Sequence, residues 1–123
     1  MTFQDLELIE PIQKAIKLKG YTHPSPIQEQ AIPILLNKHD LLGCAQTGTG
    51  KTIAFALPVI HTLYRQKSEY SGKHVRCVVM VPTHELAIQV SEVFYQLAKG
   101  TTIKSTGIFG GTDQEPQINK LKK

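Results

Sequence analysis

Residues 41–65 read LLGCAQTGTGKTIAFALPVIHTLYR, and the fold of the chain turns on this stretch. Its centre, AQTGTGKT at Ala45–Thr52, fits the G-x-x-x-x-G-K-[ST] phosphate-binding pattern with Ala in the first glycine position. Leu41–Ala45 is a short apolar run entering a glycine-rich turn, which predicts a buried strand. Lys51–Arg65 has the composition of a helix, with Pro58 a candidate kink. Strand, glycine-rich loop and helix in that order form a phosphate cradle. Gly48 and Gly50 let the backbone turn sharply and approach a phosphate with no Cβ in the way. Backbone N–H groups around Thr49–Thr52 then point at phosphate oxygens, aided by the positive end of the helix dipole. Lys51 reaches the β/γ-phosphates as a point charge, and the Thr52 hydroxyl is a candidate ligand for Mg²⁺. The cradle thus comprises Ala45, Gln46, Thr47, Gly48, Thr49, Gly50, Lys51 and Thr52. The plainer alternative is a glycine-rich turn carrying a solvated lysine.

Working outward, the same alternation continues. Val75–Val81 (VRCVVMV) is β-branched and nearly continuous, as in a strand covered on both faces. Glu85–Ala98 predicts a helix with Leu86, Ile88, Val90, Val93, Phe94 and Leu97 as a broad apolar face, ended by Lys99–Gly100. Thr101–Phe109 reads as a third strand, Gly110–Gly111 as a turn and Gln114–Lys123 as the start of another helix. Gln66–His74 is polar and reads as a surface loop. Towards the N-terminus, residues 5–19 carry a helical apolar period, with Pro11 in a first turn and Gly20 as the stop. Tyr21–Pro26 holds two prolines and predicts an ordered loop. Ile27–Leu36 predicts a second helix that Pro33 should bend or interrupt. Strands alternating with helices predict an α/β fold with a parallel sheet flanked by helices.

The chain has 123 residues, 41% of them hydrophobic, which suits one domain or a piece of one. Lys and Arg number 14 against 10 Asp and Glu, a net +4 that permits a polyanionic partner without demanding one. No apolar run approaches the roughly 20 residues that span a bilayer. The start, MTFQDLELIEP, has no basic region leading into an apolar one, so no signal peptide is expected and the cytoplasm is the expected compartment. Cys44 and Cys77 each sit in an apolar stretch and are expected to be buried free thiols, with no disulfide-linked partner.

Four segments, in order, carry a family resemblance. Phe3 and GYTHPSPIQ (Gly20–Gln28) resemble the Q motif of DEAD-box RNA helicases. The loop Ala45–Thr52 takes the next place, VPTHELA (Val81–Ala87) resembles the family's PTRELA segment, and Gly110–Gly111 its GG segment. The resemblance covers essentially the whole chain and is similar to the bacterial RhlE-like type. It implies a Q motif over residues 1–29 and an incomplete RecA-like ATP-binding domain over 30–123. It implies ATP and Mg²⁺ as cofactors and RNA as partner. Gln28 would recognise adenine, since an amide donates and accepts at once, as the N6 and N7 edge requires. Tyr21 would stack on the base and Thr22 would help line its pocket, while Phe3 would pack on the Q-motif loop. Pro82, Thr83, His84, Gly110 and Gly111 would lie along the RNA backbone. Read without the resemblance, Gln28 is a helix-start glutamine facing water, Tyr21 a loop aromatic packed on the core, Glu85 a first-turn acid favoured by the dipole, and the glycine pair a plain turn.

Two departures from the family pattern stand out. His84 occupies the usual place of Arg, and an imidazole cannot form the guanidinium fork. The Asp-Glu-Ala-Asp segment, the SAT segment and the second RecA-like domain are absent from the 123 residues. Phosphoryl transfer needs an acidic group to position Mg²⁺ and a group to orient water. The expectation is therefore a truncated RecA-like domain that binds nucleotide without hydrolysing it and needs the remainder for helicase activity. Exposed apolar surface is expected where further strands belong. The alternatives are a stand-alone nucleotide- or RNA-binding module without catalysis and, more weakly, a P-loop small-molecule kinase.

Overall fold

The computed structural model describes residues 2–45, 50–66, 75–108 and 116. The first element is a 3₁₀ turn, η1 (Phe3–Leu6), whose Asp5 carboxylate accepts from the Thr2 N–H at 2.8 Å. That hydrogen bond holds the exposed Asp5 carboxyl below its ordinary pKa. Glu7 then takes a left-handed conformation (φ 55°), so the helix expected over 5–19 cannot begin there. It begins instead as α1 (Glu10–Leu18), with Pro11 in the first turn, where its missing N–H costs nothing. Gly20, at φ +85°, follows the C-cap Lys19 and ends it.

Among the described residues three further helices follow, α2 (Pro26–Leu36), α3 (Lys51–Arg65) and α4 (His84–Leu97). The span of α3 is the one the sequence predicts. Pro33 and Pro58 lie inside α2 and α3, and neither interrupts its helix. Each proline removes only its own N–H, and both helices retain packing on either side of it. Pro58 itself is buried.

Helix α3 is the hub. It packs against α2 on one side and α4 on another, and α4 in turn meets α1. The core between them is made by Ile12 and Ile16 of α1, Ile32 of α2, Leu57 and Ile60 of α3 and Leu97 of α4, all 2% exposed or less. The Phe55 and Phe94 rings meet at 6.0 Å and 41°, a tilted pair joining α3 to α4. Gly100 lets the chain pass close to Pro11, where a Cβ would lie 2.9 Å from the proline Cβ. Lys19 Nζ donates to Gln96 Oε1 at 2.6 Å, a second tie between the end of α1 and α4.

The expected strands are where structure and sequence part. Among the described residues, Leu41–Ala45, Val75–Val81 and 101–108 are not paired as strands, and the parallel sheet is not formed there. Strand order rests on neighbours that supply both hydrogen bonds and a covering face. Here Leu42 is 93% exposed, and along Val75–Val81 Val78 and Met80 on one face are 75% and 90% exposed and Val75 and Val79 on the other 70% and 40%, so neither face is covered. Exposed apolar surface was the expectation, and this is where it lies. Arg76 anchors one of these segments by donating to the Leu63 carbonyl of α3 at 2.7 Å. The same lack of cover corrects the cysteines: Cys44 and Cys77 are exposed rather than buried. Local desolvation nevertheless pushes the Cys77 thiol up from its ordinary pKa. The expected loop at 67–74, turn at Gly110–Gly111 and helix from Gln114 lie outside the described residues, apart from residue 116. None of the described helices is long and apolar enough to cross a membrane.

Candidate nucleotide-binding site

The site is built from the start of α3 and the start of α2. Gly50 caps α3 with φ 84° and ψ 29°, a left-handed conformation that a residue with a Cβ adopts at a cost. Lys51 and Thr52 are the first two helical residues, Lys51 exposed and Thr52 half-buried. Their backbone N–H groups belong to the unpaired first turn, which carries the positive end of the helix dipole. Ala45 is half-buried on the other side of the loop. Gln46, Thr47, Gly48 and Thr49 lie outside the described residues.

Gln28 sits at the third position of α2 and is buried, at 6% exposure. This corrects the reading of it as a water-facing glutamine. Its Oε1 accepts from the Ser25 N–H at 3.0 Å, reaching back to the residue that caps α2. Its Nε2 donates to the Gly50 carbonyl at 3.2 Å. These two partners fix which end of the amide is which, because only the NH₂ can donate to a carbonyl. The Gly50 carbonyl also accepts the first α3 hydrogen bond, from Ala54, at 3.1 Å. One side chain thus links the start of α2 to the start of α3. The fit is tight, since a Cβ on Gly50 would run into Gln28 Nε2. Among the described residues these bonds use one N–H and one lone pair of the amide, whose other N–H and lone pair have the donor and acceptor pattern of the N6–H and N7 edge of adenine.

The loop before α2 carries Tyr21, 45% exposed, and Thr22, also exposed. Thr22 Oγ1 lies 2.9 Å from His23 Nδ1. Phe3 is 3% exposed, and its N–H donates to the Thr22 carbonyl at 3.3 Å, so it packs against this loop. Gln13 Nε2 holds the Phe3 carbonyl at 2.9 Å.

Of the residues expected to face RNA, Pro82, Thr83 and His84 are exposed at the start of α4, and Gly110 and Gly111 lie outside the described residues. Thr83 is the N-cap of α4, and its Oγ1 accepts from the Leu86 N–H at 3.2 Å. Among the described residues no group of three or more His, Cys, Asp or Glu could hold a metal.

One buried polar residue escaped the sequence reading. His61 of α3 is 8% exposed, and its Nδ1 accepts the Ile9 N–H at 3.1 Å. Burial, and then the nearby Arg65 charge, lower its pKa below the ordinary value. Position 61 follows Leu57 by one helical turn, so the apolar period of α3 carried the signal.

A family model described as DEAD/DEAH box helicase matches residues 25–123. The chain belongs to this family. Among curated relatives, it is 43% identical over 122 residues to the ATP-dependent rRNA helicase rrp3 of Schizosaccharomyces pombe, covering 99% of this chain and 25% of that protein. It is 42% identical over 122 residues to the ATP-dependent RNA helicase CshA of Limosilactobacillus reuteri, covering 99% and 24%. Among solved structures it resembles a DEAD box protein from the hyperthermophile Methanococcus jannaschii, with a TM-score of 0.87 and 37% identity over 98% of this chain and 32% of that one. It also resembles the RNA-helicase Prp28 from Chaetomium thermophilum bound to ADP, with a TM-score of 0.85 and 33% identity over 98% and 29%. The chain spans about a quarter of the length of the curated relatives it matches. Its fold is accordingly part of a RecA-like domain. The RhlE-like subtype draws no support from these matches.

Proposed function

We propose that this chain is the ATP-binding front of an ATP-dependent RNA helicase, acting in the whole protein on short RNA duplexes. The observation that carries the reading is the Gln28 amide held between Ser25 and the Gly50 carbonyl. It joins the group that reads the base to the residue that opens the phosphate-binding helix. Residues 1–29 act as the Q motif and 30–123 as the incomplete RecA-like unit. Leu41–Ala45, Val75–Val81 and 101–109 supply strands of a parallel sheet once neighbours cover them. The high structural similarity to helicase chains supports that arrangement.

Each residue then has a task. Tyr21 stacks on adenine, Thr22 lines its pocket, and Gln28 pairs with its edge. Ala45–Thr52 wraps the phosphates with backbone N–H groups. Lys51 neutralises the β/γ-phosphates and Thr52 contributes a hydroxyl to Mg²⁺. The metal, when bound, offsets charge developing on the phosphoryl oxygens. Pro82, Thr83 and His84, with Gly110 and Gly111, follow an RNA backbone, and a neutral His84 grips a phosphate more weakly than Arg would. Hydrolysis needs an acidic segment that these 123 residues do not contain, and a second RecA-like domain, so this chain alone holds nucleotide without turning it over. A net charge of +4 also fits a second reading, a nucleotide- or RNA-binding module with no catalytic role.

Calorimetry with ADP and Mg²⁺ on this chain and on Lys51→Ala tests the proposal. Binding that is lost in the variant is expected. Equal heats in the two proteins would remove any P-loop role. A version extended through the acidic segment should show RNA-stimulated ATPase activity, and none would leave the non-catalytic module as the better reading.

A further inference from the structure

We infer that His61 is a positioning residue that holds the adenine-recognition loop in register with the P-loop helix through its neutral imidazole. The inference rests on the adenine-binding reading above for its functional half and on the hydrogen bonds alone for its structural half. These bonds form a continuous path. His61 Nδ1 on α3 accepts the N–H of Ile9, the N-cap of α1, at 3.1 Å. The Ile9 carbonyl accepts from the Gln13 N–H at 3.1 Å. Gln13 Nε2 holds the Phe3 carbonyl at 2.9 Å, and the Phe3 N–H holds the Thr22 carbonyl at 3.3 Å. Thr22 and Tyr21 are the loop that faces the base. At the other end, α3 starts at Lys51 and Thr52. The path therefore runs from the phosphate-binding helix to the base-binding loop by a route that does not pass through Gln28.

Accepting at Nδ1 requires the neutral ring with its proton on Nε2. A protonated ring donates at both nitrogens and would turn a donor toward the Ile9 N–H. That would leave a buried N–H without a partner beside a buried cation. The ring is already biased against the proton by burial and by Arg65 one turn further along α3. Among the described residues, the other ionisable groups near it in the chain, or on the elements packed against α3, are Lys51 and Tyr64 of α3, Glu7 and Glu10 beside Ile9, Glu29 on α2, Arg76 on the Leu63 carbonyl, and His84, Glu85, Glu92 and Tyr95 on α4. None of them contributes to the shift. Apolar contacts of Ile12 and Ile16 with the α3 and α4 core keep α1 docked regardless. Protonation should thus loosen residues 2–22 rather than unfold the protein.

Two readouts on the full chain test this. The first is amide hydrogen exchange without nucleotide at pH 7.5 and 5.5, corrected for the intrinsic pH dependence of exchange. Protection at Phe3 and Ile9 should fall at pH 5.5 in the wild type. It should stay level in His61→Asn, whose side-chain oxygen supplies a non-titrating acceptor near the place of Nδ1. It should be low at both pH values in His61→Leu. The second is the affinity for ADP. It should weaken roughly threefold to tenfold more in the wild type than in His61→Asn over the same interval, the range one hydrogen bond spans. Equal protection profiles in wild type and His61→Leu at pH 7.5 would overturn the inference. So would loss of the Phe3 and Ile9 protection in wild type and His61→Asn alike. If no variant binds ADP at either pH, the nucleotide reading fails, and the exchange data still decide the role of His61.

Discussion

Replacing Gly50 with alanine separates two costs that the structure makes distinct. The first is conformational: Gly50 sits at φ 84°, where an L-residue loses about 1–2 kcal/mol. The second is steric and polar. The new Cβ meets Gln28 Nε2 and must push the amide off the Gly50 carbonyl. Gln28 is buried, so the displaced amide loses a partner it cannot readily replace with water, at about 1–2 kcal/mol. The sum is about 2–4 kcal/mol. Gly20 provides the control, since it has nearly the same φ, 85°, with nothing within 4 Å of an added Cβ. Gly20→Ala should cost the conformational part alone. For a chain of this length 1 kcal/mol corresponds to about 4 °C in melting temperature. Thermal unfolding followed by circular dichroism should then show a drop of about 4–8 °C for Gly20→Ala and about 8–16 °C for Gly50→Ala. In a Gln28→Ala background the excess for Gly50→Ala should vanish, because the group it strikes is gone. If Gly50→Ala and Gly20→Ala melt together, or if the excess survives without Gln28, the coupling drawn here between the two helix starts is wrong.

Other outcomes follow from single observations. Lys38 holds φ 64° just past α2, so Lys38→Gly should raise stability in urea by about 1 kcal/mol. Thr83→Ala removes the oxygen that caps α4 and should lower stability by about 1 kcal/mol in the same assay, with no effect on ADP binding. The folded-state pKa of His61 lies below its unfolded value, so its contribution is fully present above about pH 6.5 and is lost as the pH falls through and below that value. Urea midpoints should drop between pH 7 and 5.5 in the wild type and drop less in His61→Asn. Cys44 and Cys77 are both exposed, so both should react with a thiol reagent in the native protein, Cys77 more slowly because its thiol is harder to ionise.

Much of this architecture is legible in the chain itself. The apolar period and the GKT start give α3 its bounds, and Pro11 with Gly20 frames α1. The sequence reading also has Phe3 packing on the loop before α2, and its N–H does bond to Thr22 there. The misreadings share a cause: each depends on something outside the local window. Glu7 breaks the first helix through a left-handed residue that no propensity marks. Pro33 does not interrupt its helix, because tertiary packing outweighs the lost N–H. The segment VRCVVMV has every local mark of a strand, yet pairing depends on neighbours and these residues are not paired here. The burial of Gln28 depends on where Gly50 arrives, 22 positions later. His61 was readable from its place one turn after Leu57, but its partner, 52 residues away, was not.

The central claim is that Gln28, held against the start of the P-loop helix, makes this an adenine-specific nucleotide site. Side-by-side calorimetric titrations of the wild type and Gln28→Ala with ADP and GDP, each with Mg²⁺, test it most directly. The wild type should bind ADP at least tenfold more tightly than GDP, and Gln28→Ala should lose that preference while remaining folded. Equal affinity of the wild type for ADP and GDP, or a preference that survives in Gln28→Ala, would contradict it.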